Sequence, residues 1–457
     1  MTFLEMITID FLKRFDKSKL NPPRVLAIAF ALIILFGANI LNLPIASADG
    51  ESIGFINALF TASSSVCVTG LVVVNTAEHW SLFGQVVIIT LIQIGGLGFM
   101  TMATIVALLL GKKITLKDRL VMQEELNSSS LSGLVKLTKY VIATTFIIEG
   151  IGAIFLSTRF IPIYGLKKGI WFSVFHAISA FCNAGFDVIG NNMIPFVDDI
   201  VVNFAIGSLV ILGGLGFTVY LDISKNKNIH RCSLHTKLVL LISAILLILG
   251  SVLIFIIEYN NPETLGNLSL KGKILASTFQ SIIARTAGFN SVDMAPLYDT
   301  TIFVLIILMF IGGSPGSTAG GIKTTTFGVI FLTVRSVLKG NDDVEVLRRR
   351  IPNSIVLRAI AITAVSLLLV TLVTMILTVT EQGVKFIDLL FETVSAFATV
   401  GLSRNLSPEL SDIGKFIIAL TMYAGKVGPL TLVFALAKKQ KTDNKKYRYP
   451  EGKIIIG

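Results

Sequence analysis

Cysteine and histidine are scarce in this 457-residue chain, three and four copies respectively, and only 15% of its residues are charged. Cys67, Cys182 and Cys232 form no close pair, so neither a disulfide framework nor a zinc site is indicated. No nucleophile and base stand together and no metal-ligand spacing occurs, so an enzyme is not expected. A soluble nucleotide-binding segment is also missing, and no cofactor is expected on this chain. The charge that remains is lopsided, with a formal net of +11.

What fills the sequence instead is apolar: 53% hydrophobic residues and a mean hydropathy of +0.80, more than a soluble core needs. Eight stretches are long enough to cross a bilayer, which takes roughly 20 residues. They run over 25–43, 84–110, 140–161, 201–221, 238–257, 300–334, 359–379 and 413–437. All are expected to be helical, because lipid offers no partner to a bare backbone. Of the 39 basic residues, 28 fall in segments assigned to one side: 1–24, 111–139, 223–237, 335–358 and 438–457. That bias places both termini in the cytoplasm of a multi-pass membrane protein. The net charge then reflects topology and anionic headgroups, and no nucleic-acid partner is expected. Ala46-Ser47-Ala48 imitates a signal-peptidase site, but the preceding apolar run exceeds the usual 7–15 residues or so, so it is read as a retained helix.

Four stretches share one pattern, a Phe followed nine or ten residues later by Gly. They are Phe60 to Gly70, Phe175 to Gly185, Phe279 to Gly288 and Phe391 to Gly401, each between two apolar runs. A span, a short dipping helix, a glycine-ended extended strand and a second span make a re-entrant pore unit. Two spans return the chain to its starting side, so the four units share one orientation about an axis along the membrane normal. From each pattern glycine to the glycine marking the second span (Gly95, Gly213, Gly312, Gly425) is 24 to 28 residues. The expected fold is an all-α membrane protein with eight transmembrane helices and four re-entrant pore helices around a central pore. The expected divisions are a cytosolic segment 1–24, repeats within 25–110, 111–222, 223–334 and 335–437, and a cytosolic tail 438–457.

A dipping helix of roughly 12–14 residues spans about 20 Å, short of the hydrocarbon thickness, and aims its negative carbonyl end inward. Four such ends favour a cation. The strand residues after them, Cys67, Val68, Thr69 and Gly70, Asn183, Ala184 and Gly185, Thr286, Ala287 and Gly288, and Thr399, Val400 and Gly401, can replace a cation's water shell with carbonyls. Glycine suits this turn because it tolerates positive φ and leaves the axis open; a plain helix C-cap is the alternative. Thr61, His176, Gln280 and Glu392 occupy one matched position, expected to brace the scaffold behind the ion path.

The sixth apolar run is broken by Gly312, Gly313, Ser314, Pro315, Gly316, Ser317, Thr318, Ala319, Gly320, Gly321, Ile322 and Lys323. Irregular backbone at membrane depth survives only where protein or water satisfies it, so this loop is expected to line the cavity beneath the filter. A Walker-type reading fails, because Ile322 separates the last Gly from Lys323 and no strand precedes it. Gly312 to Lys323 is read as a movable gate that Lys426 braces or supplements with a charge barrier; a snorkelling Lys426 is the alternative.

The four glycine segments, the GGLGF runs (Gly95 to Phe99, Gly213 to Phe217), the GGSPGSTAGGIK loop and GKVGPLT (Gly425 to Thr431) together resemble the Ktr, Trk and HKT superfamily of potassium transporters, closest to membrane subunits of the KtrB or KtrD type. The resemblance covers nearly the whole chain, including RYPEG (Arg448 to Gly452). It implies potassium uptake in a bacterial plasma membrane, with potassium as substrate held by filter carbonyls and sodium as a modulating ion. It also implies a homodimer and a cytosolic nucleotide-binding ring of KtrA or KtrC type. Basic loops near Lys112 to Lys139 and Lys225 to Lys237 would serve that ring or the lipid. Lys426 stands where relatives usually carry Arg, and Cys67 where Thr or Ala is common. A sodium- or proton-coupled symporter and a structural scaffold remain the other readings.

Overall fold

The computed structural model describes residues 22–98, 101–104, 114–125, 134–341, 343–429 and 431–432. The chain is all-α: among the described residues the strands are a two-residue pair, Glu345–Val346 against Arg349–Arg350. Helices recur as triads of a leading, a dipping and a trailing member. The leading helices are Pro22–Leu41, Leu134–Tyr164, Leu234–Glu258 and Asn353–Thr380. The dipping helices are Phe55–Cys67, Leu166–Phe181, Leu270–Ile283 and Phe386–Phe397, and the trailing helices are Leu82–Leu97, Ile200–Leu215, Asp299–Phe310 and Asp412–Val427.

The leading helices turn large apolar side chains outward, where a soluble helix would be polar. On Leu134–Tyr164 the buried stripe is Thr138, Val141, Thr145, Glu149, Gly152, Leu156 and Phe160, while Phe146, Ile147, Ile154 and Phe155 face outward. A mixed polar and apolar stripe inside with large apolar residues outside is an arrangement a lipid solvent tolerates. All four leading helices are long and apolar enough to cross a membrane.

The trailing helices are shorter than the sequence suggests. Ser81, Asp199 and Ser411 cap three of their N-termini through side-chain oxygens. The same three stop at Gly98, Gly216 and Gly428, with φ of 88°, 89° and 91°, a backbone setting that ends a helix and that glycine adopts without a Cβ penalty. At Gly216 the chain turns by 90° into Phe217–Asn226, and counting that bent pair as one gives five membrane-length segments among the described residues. The straight spans expected over 84–110 and 201–221 therefore end early, and residues 105–110 and 433–437 of the expected spans lie outside the described residues. The third trailing helix stops at Phe310, and the chain resumes as Thr324–Leu338.

Contacts close the triads into a ring in chain order. Trp171 Nε1 donates to Gln85 Oε1 at 2.8 Å, Met193 N donates to the Asn290 carbonyl at 3.0 Å, and Arg404 donates to the Ala295 carbonyl at 2.7 Å. The Tyr423 hydroxyl reaches the Ala27 carbonyl at 2.8 Å, bringing the fourth triad back to the first. In the last two triads a carboxylate at the end of the leading helix also caps the trailing one: Glu258 accepts from Tyr298 N and Glu381 from Ser411 N and Oγ.

Candidate ion pathway

The four pattern glycines meet at the centre of this ring. A Cβ built on Gly70 would lie 2.3 Å from the Ala184 carbonyl oxygen, one on Gly185 2.6 Å from that of Ala287, one on Gly288 2.8 Å from that of Val400, and one on Gly401 2.1 Å from that of Thr69. Each strand thus touches the next, and the fourth touches the first. No side chain larger than hydrogen fits without displacing a carbonyl.

Backbone conformation repeats with the same register. Gly70, Gly185, Gly288 and Gly401 have φ of 96°, 68°, 70° and 92°; two residues earlier, Val68, Asn183, Thr286 and Thr399 have φ of 59°, 62°, 79° and 51°. The intervening Thr69, Ala184, Ala287 and Val400 do not share it. Alternating left-handed with ordinary residues is a backbone setting that can bring successive carbonyls to one side of a strand. For β-branched Val68, Thr286 and Thr399 this setting costs of order 1–3 kcal/mol each, a strain that concentrates at ligand-binding sites.

Serines fasten the strands to the dipping helices. Gly70 N donates to Ser64 Oγ at 3.0 Å and Gly401 N to Ser395 Oγ at 3.1 Å. Ser179, at the same place in the second repeat, instead donates to the Phe186 carbonyl at 3.0 Å. Among the described residues no group of His, Cys, Asp and Glu could hold a metal ion, and the buried hydroxyl oxygens of Thr69, Thr286 and Thr399 make no hydrogen bond. The oxygens these strands carry are therefore backbone carbonyls, with the unbonded hydroxyls beside them.

The matched polar residues sit behind the strands, all fully or almost fully buried. Thr61 Oγ1 donates to the Asn57 carbonyl at 2.9 Å. His176 contacts the Phe172 carbonyl through Nδ1 at 2.7 Å and Asp187 Oδ1 through Nε2 at 2.9 Å. Gln280 Nε2 faces Met294 Sδ at 3.2 Å, and Glu392 accepts from the Ser407 hydroxyl.

Directly against the strands lies the glycine-rich break. A Cβ on Gly320 would strike Thr399 Oγ1 at 2.2 Å, and one on Gly321 would press on Ala398. The loop folds on itself through Ile322 N to the Phe310 carbonyl and Thr324 N to that of Gly313, and it docks on the second trailing helix through Ser314 N to Gly214 and Phe217 N to Gly316. Lys426 Nζ donates to the Thr318 carbonyl at 3.0 Å and Lys323 Nζ to that of Ala319 at 2.6 Å. Two lysine side chains therefore hold adjacent carbonyls of the loop. A cavity of about 580 Å³ lies against it, lined by Gly316, Ser317, Lys323, His235, Arg358 and Lys426 among others.

The glycines marking the trailing helices have a separate role. Built Cβ atoms on Gly95, Gly213 and Gly425 would lie 1.9 Å from the carbonyl oxygens of Val66, Phe181 and Phe397. The trailing helix passes flush against the inner end of its dipping helix, so the spacing read from the sequence records a close crossing. The sequence pattern did not expose Ser64 and Ser395, nor a buried contact between Gln93 and Glu149. Its one signal for the latter was a lone acid within an apolar run.

A closed ring of glycine strands stands at the centre of an all-α assembly whose leading helices are long and apolar enough to cross a membrane, the build of a helical membrane protein. The chain belongs to the TrkH family of cation transport proteins, whose profile matches residues 6–447. It is 46% identical over 439 residues to "Ktr system potassium uptake protein B" of Bacillus subtilis, covering 96% of this chain and 97% of that one. It is 42% identical to "Potassium/sodium uptake protein NtpJ" of Enterococcus hirae, covering 98% and 100%. The crystal structure of the potassium transporter TrkH from Vibrio parahaemolyticus superimposes with a TM-score of 0.72 at 17% identity, over 92% of this chain and 86% of that one, and so shares its fold.

Proposed function

We propose that this chain carries potassium into the cell through the ring formed by Gly70, Gly185, Gly288 and Gly401, whose strand carbonyls stand in for water around the ion. The observation that carries this reading is the closed succession of four left-handed glycines, each within a Cβ radius of the next strand's carbonyl. The printed names of the relatives supply the ion. Glycine at all four places leaves each neighbouring carbonyl uncrowded by a side chain.

Beneath the filter, Gly312 to Lys323 acts as the gate, held closed by Lys426 and Lys323. Their bonds to Thr318 and Ala319 support this reading, because releasing two carbonyls frees the loop segment pressed on Ala398 and Thr399. The charge of Lys426 adds a barrier to cations. The protein works as a homodimer in a bacterial plasma membrane with both termini cytoplasmic, under a nucleotide-binding ring of KtrA or KtrC type. The phrase "Ktr system" in the relatives' names supports that partner. A second reading, sodium-coupled symport, draws on the potassium/sodium name of the NtpJ relative.

Rubidium uptake into liposomes holding purified protein tests the proposal, with potassium or sodium competing and with the regulatory ring present or absent. Potassium should displace rubidium far better than sodium does. A fixed sodium-to-rubidium stoichiometry would favour the symporter, and no potassium-competed uptake would end the proposal.

A further inference from the structure

Midway along the 31-residue Leu134–Tyr164 helix stands Glu149, 4% exposed. A carboxyl at membrane depth is expensive, and such residues are rare unless they serve a function. Among the described residues no lysine or arginine forms an ion pair with it. Its partners are the Gln93 amide, which donates to both carboxyl oxygens at 3.1 and 3.3 Å, and the Cys182 thiol at 3.9 Å. Cys182 Sγ also lies 3.7 Å from Gln93 Oε1, and a Cβ on Gly96 would sit 2.6 Å from that sulfur.

The fold does not need an acid here. Gly37, Gly152 and Gly250 play one role in three leading helices, admitting Leu91, Leu209 and Leu308 of the matching trailing helices. Three residues before each stand Ile34, Glu149 and Leu247. Gln93, two residues before Gly95, is matched by Ile211 before Gly213. The first and third repeats thus pack with aliphatic residues where the second holds a carboxyl. Cys182 lies three residues before Gly185, as Cys67 does before Gly70; what sets the second repeat apart is that its cysteine meets a buried carboxyl and that the adjoining Phe181 carbonyl accepts from Thr318 Oγ1 of the glycine loop at 3.3 Å.

We propose that Glu149 is a positioning residue for ion selectivity: with Gln93 it fixes the Cys182 side chain, and so the setting of the carbonyls from Asn183 to Gly185. This rests on the reading of that strand as part of the filter. The test measures potassium-over-sodium preference in rubidium uptake for Glu149→Leu, Glu149→Gln, Cys182→Ala and the double variant Glu149→Leu/Cys182→Ala, with thermal unfolding in detergent alongside. Glu149→Leu and Cys182→Ala should each lower the preference by about threefold to tenfold, the range for residues coupled through a packed network. The double variant should fall no further than either single one, and Glu149→Gln, whose amide still reaches Gln93, should retain most of the preference. Wild-type preference in both Glu149→Leu and Cys182→Ala, or additive losses in the double variant, overturns the proposal. If Glu149→Leu does not fold, Cys182→Ala decides: a lowered preference supports the role and an unchanged one removes it. A wild-type protein without potassium preference refutes the filter itself, a result distinct from a selective wild type with unaffected variants.

Discussion

Serine placed at each ring glycine in turn should damage selectivity in an order set by geometry. Each glycine holds φ between 68° and 96°, a region that costs an L residue about 1–2 kcal/mol. The new Cβ then meets a neighbouring carbonyl oxygen at 2.1 Å for Gly401, 2.3 Å for Gly70, 2.6 Å for Gly185 and 2.8 Å for Gly288. Restoring van der Waals separation requires that carbonyl to retreat by about 1 Å at Gly401 and Gly70, and by about half as much at the other two. A retracted carbonyl replaces less of a potassium ion's water shell. Preference for potassium over sodium should therefore fall about tenfold in Gly401→Ser and Gly70→Ser, equivalent to about 1.4 kcal/mol, and about threefold in Gly185→Ser and Gly288→Ser. The assay is rubidium uptake into liposomes against graded potassium and sodium. An unaltered ion ratio in Gly70→Ser, or Gly288→Ser as the most damaging of the four, would refute carbonyl crowding as the basis of selection.

Lys426→Gln removes a charge-assisted bond to the loop worth about 1.5–3 kcal/mol, so uptake without the regulatory ring should rise at least several-fold; unchanged flux both there and in a variant with a shortened glycine loop would remove the gate assignment. Ser64→Ala and Ser395→Ala each strip a filter glycine N–H of its acceptor, at about 1–3 kcal/mol for a buried donor. Both should lose ion preference before they lose protein yield, as competition assays on purified protein would show. Burial alone would push the Glu381 carboxyl up, but the Ser411 hydroxyl and N–H, with Thr380 and the Lys415 charge, hold it below its usual 4.5. A depressed carboxyl stabilises the fold above its unfolded value and loses that contribution as pH falls through the folded one. Glu381→Gln should accordingly unfold at lower temperature than wild type near neutral pH, with the two melting curves converging below about pH 4.5.

Much of this architecture was legible because it repeats. Four matched phenylalanine-to-glycine intervals located the dipping helices and the strand glycines, and the density of glycine and proline after Gly312 located the break. The ends of the trailing helices were not legible. In an apolar run, Gly98, Gly216 and Gly428 look like Gly95, Gly213 and Gly425, yet the first set stops a helix through positive φ and the second lets a neighbouring carbonyl approach. Composition cannot separate these uses, because both need only the missing Cβ. The sequence left Lys426 either bracing the Gly312 to Lys323 loop, with or without a charge barrier, or snorkelling; its contact with the Thr318 carbonyl became visible only in the folded chain. Ser64 and Ser395 did not stand out, since serines in helices ordinarily satisfy their own preceding turn, and the Gln93–Glu149 contact showed only as a lone acid within an apolar run.

Because one polypeptide supplies all four walls of the proposed ion path, a single codon change would alter one quarter of it, where in a symmetric tetramer it would alter every quarter at once. Evolution can therefore adjust this passage in small increments, retaining three intact walls while a fourth drifts toward another ion.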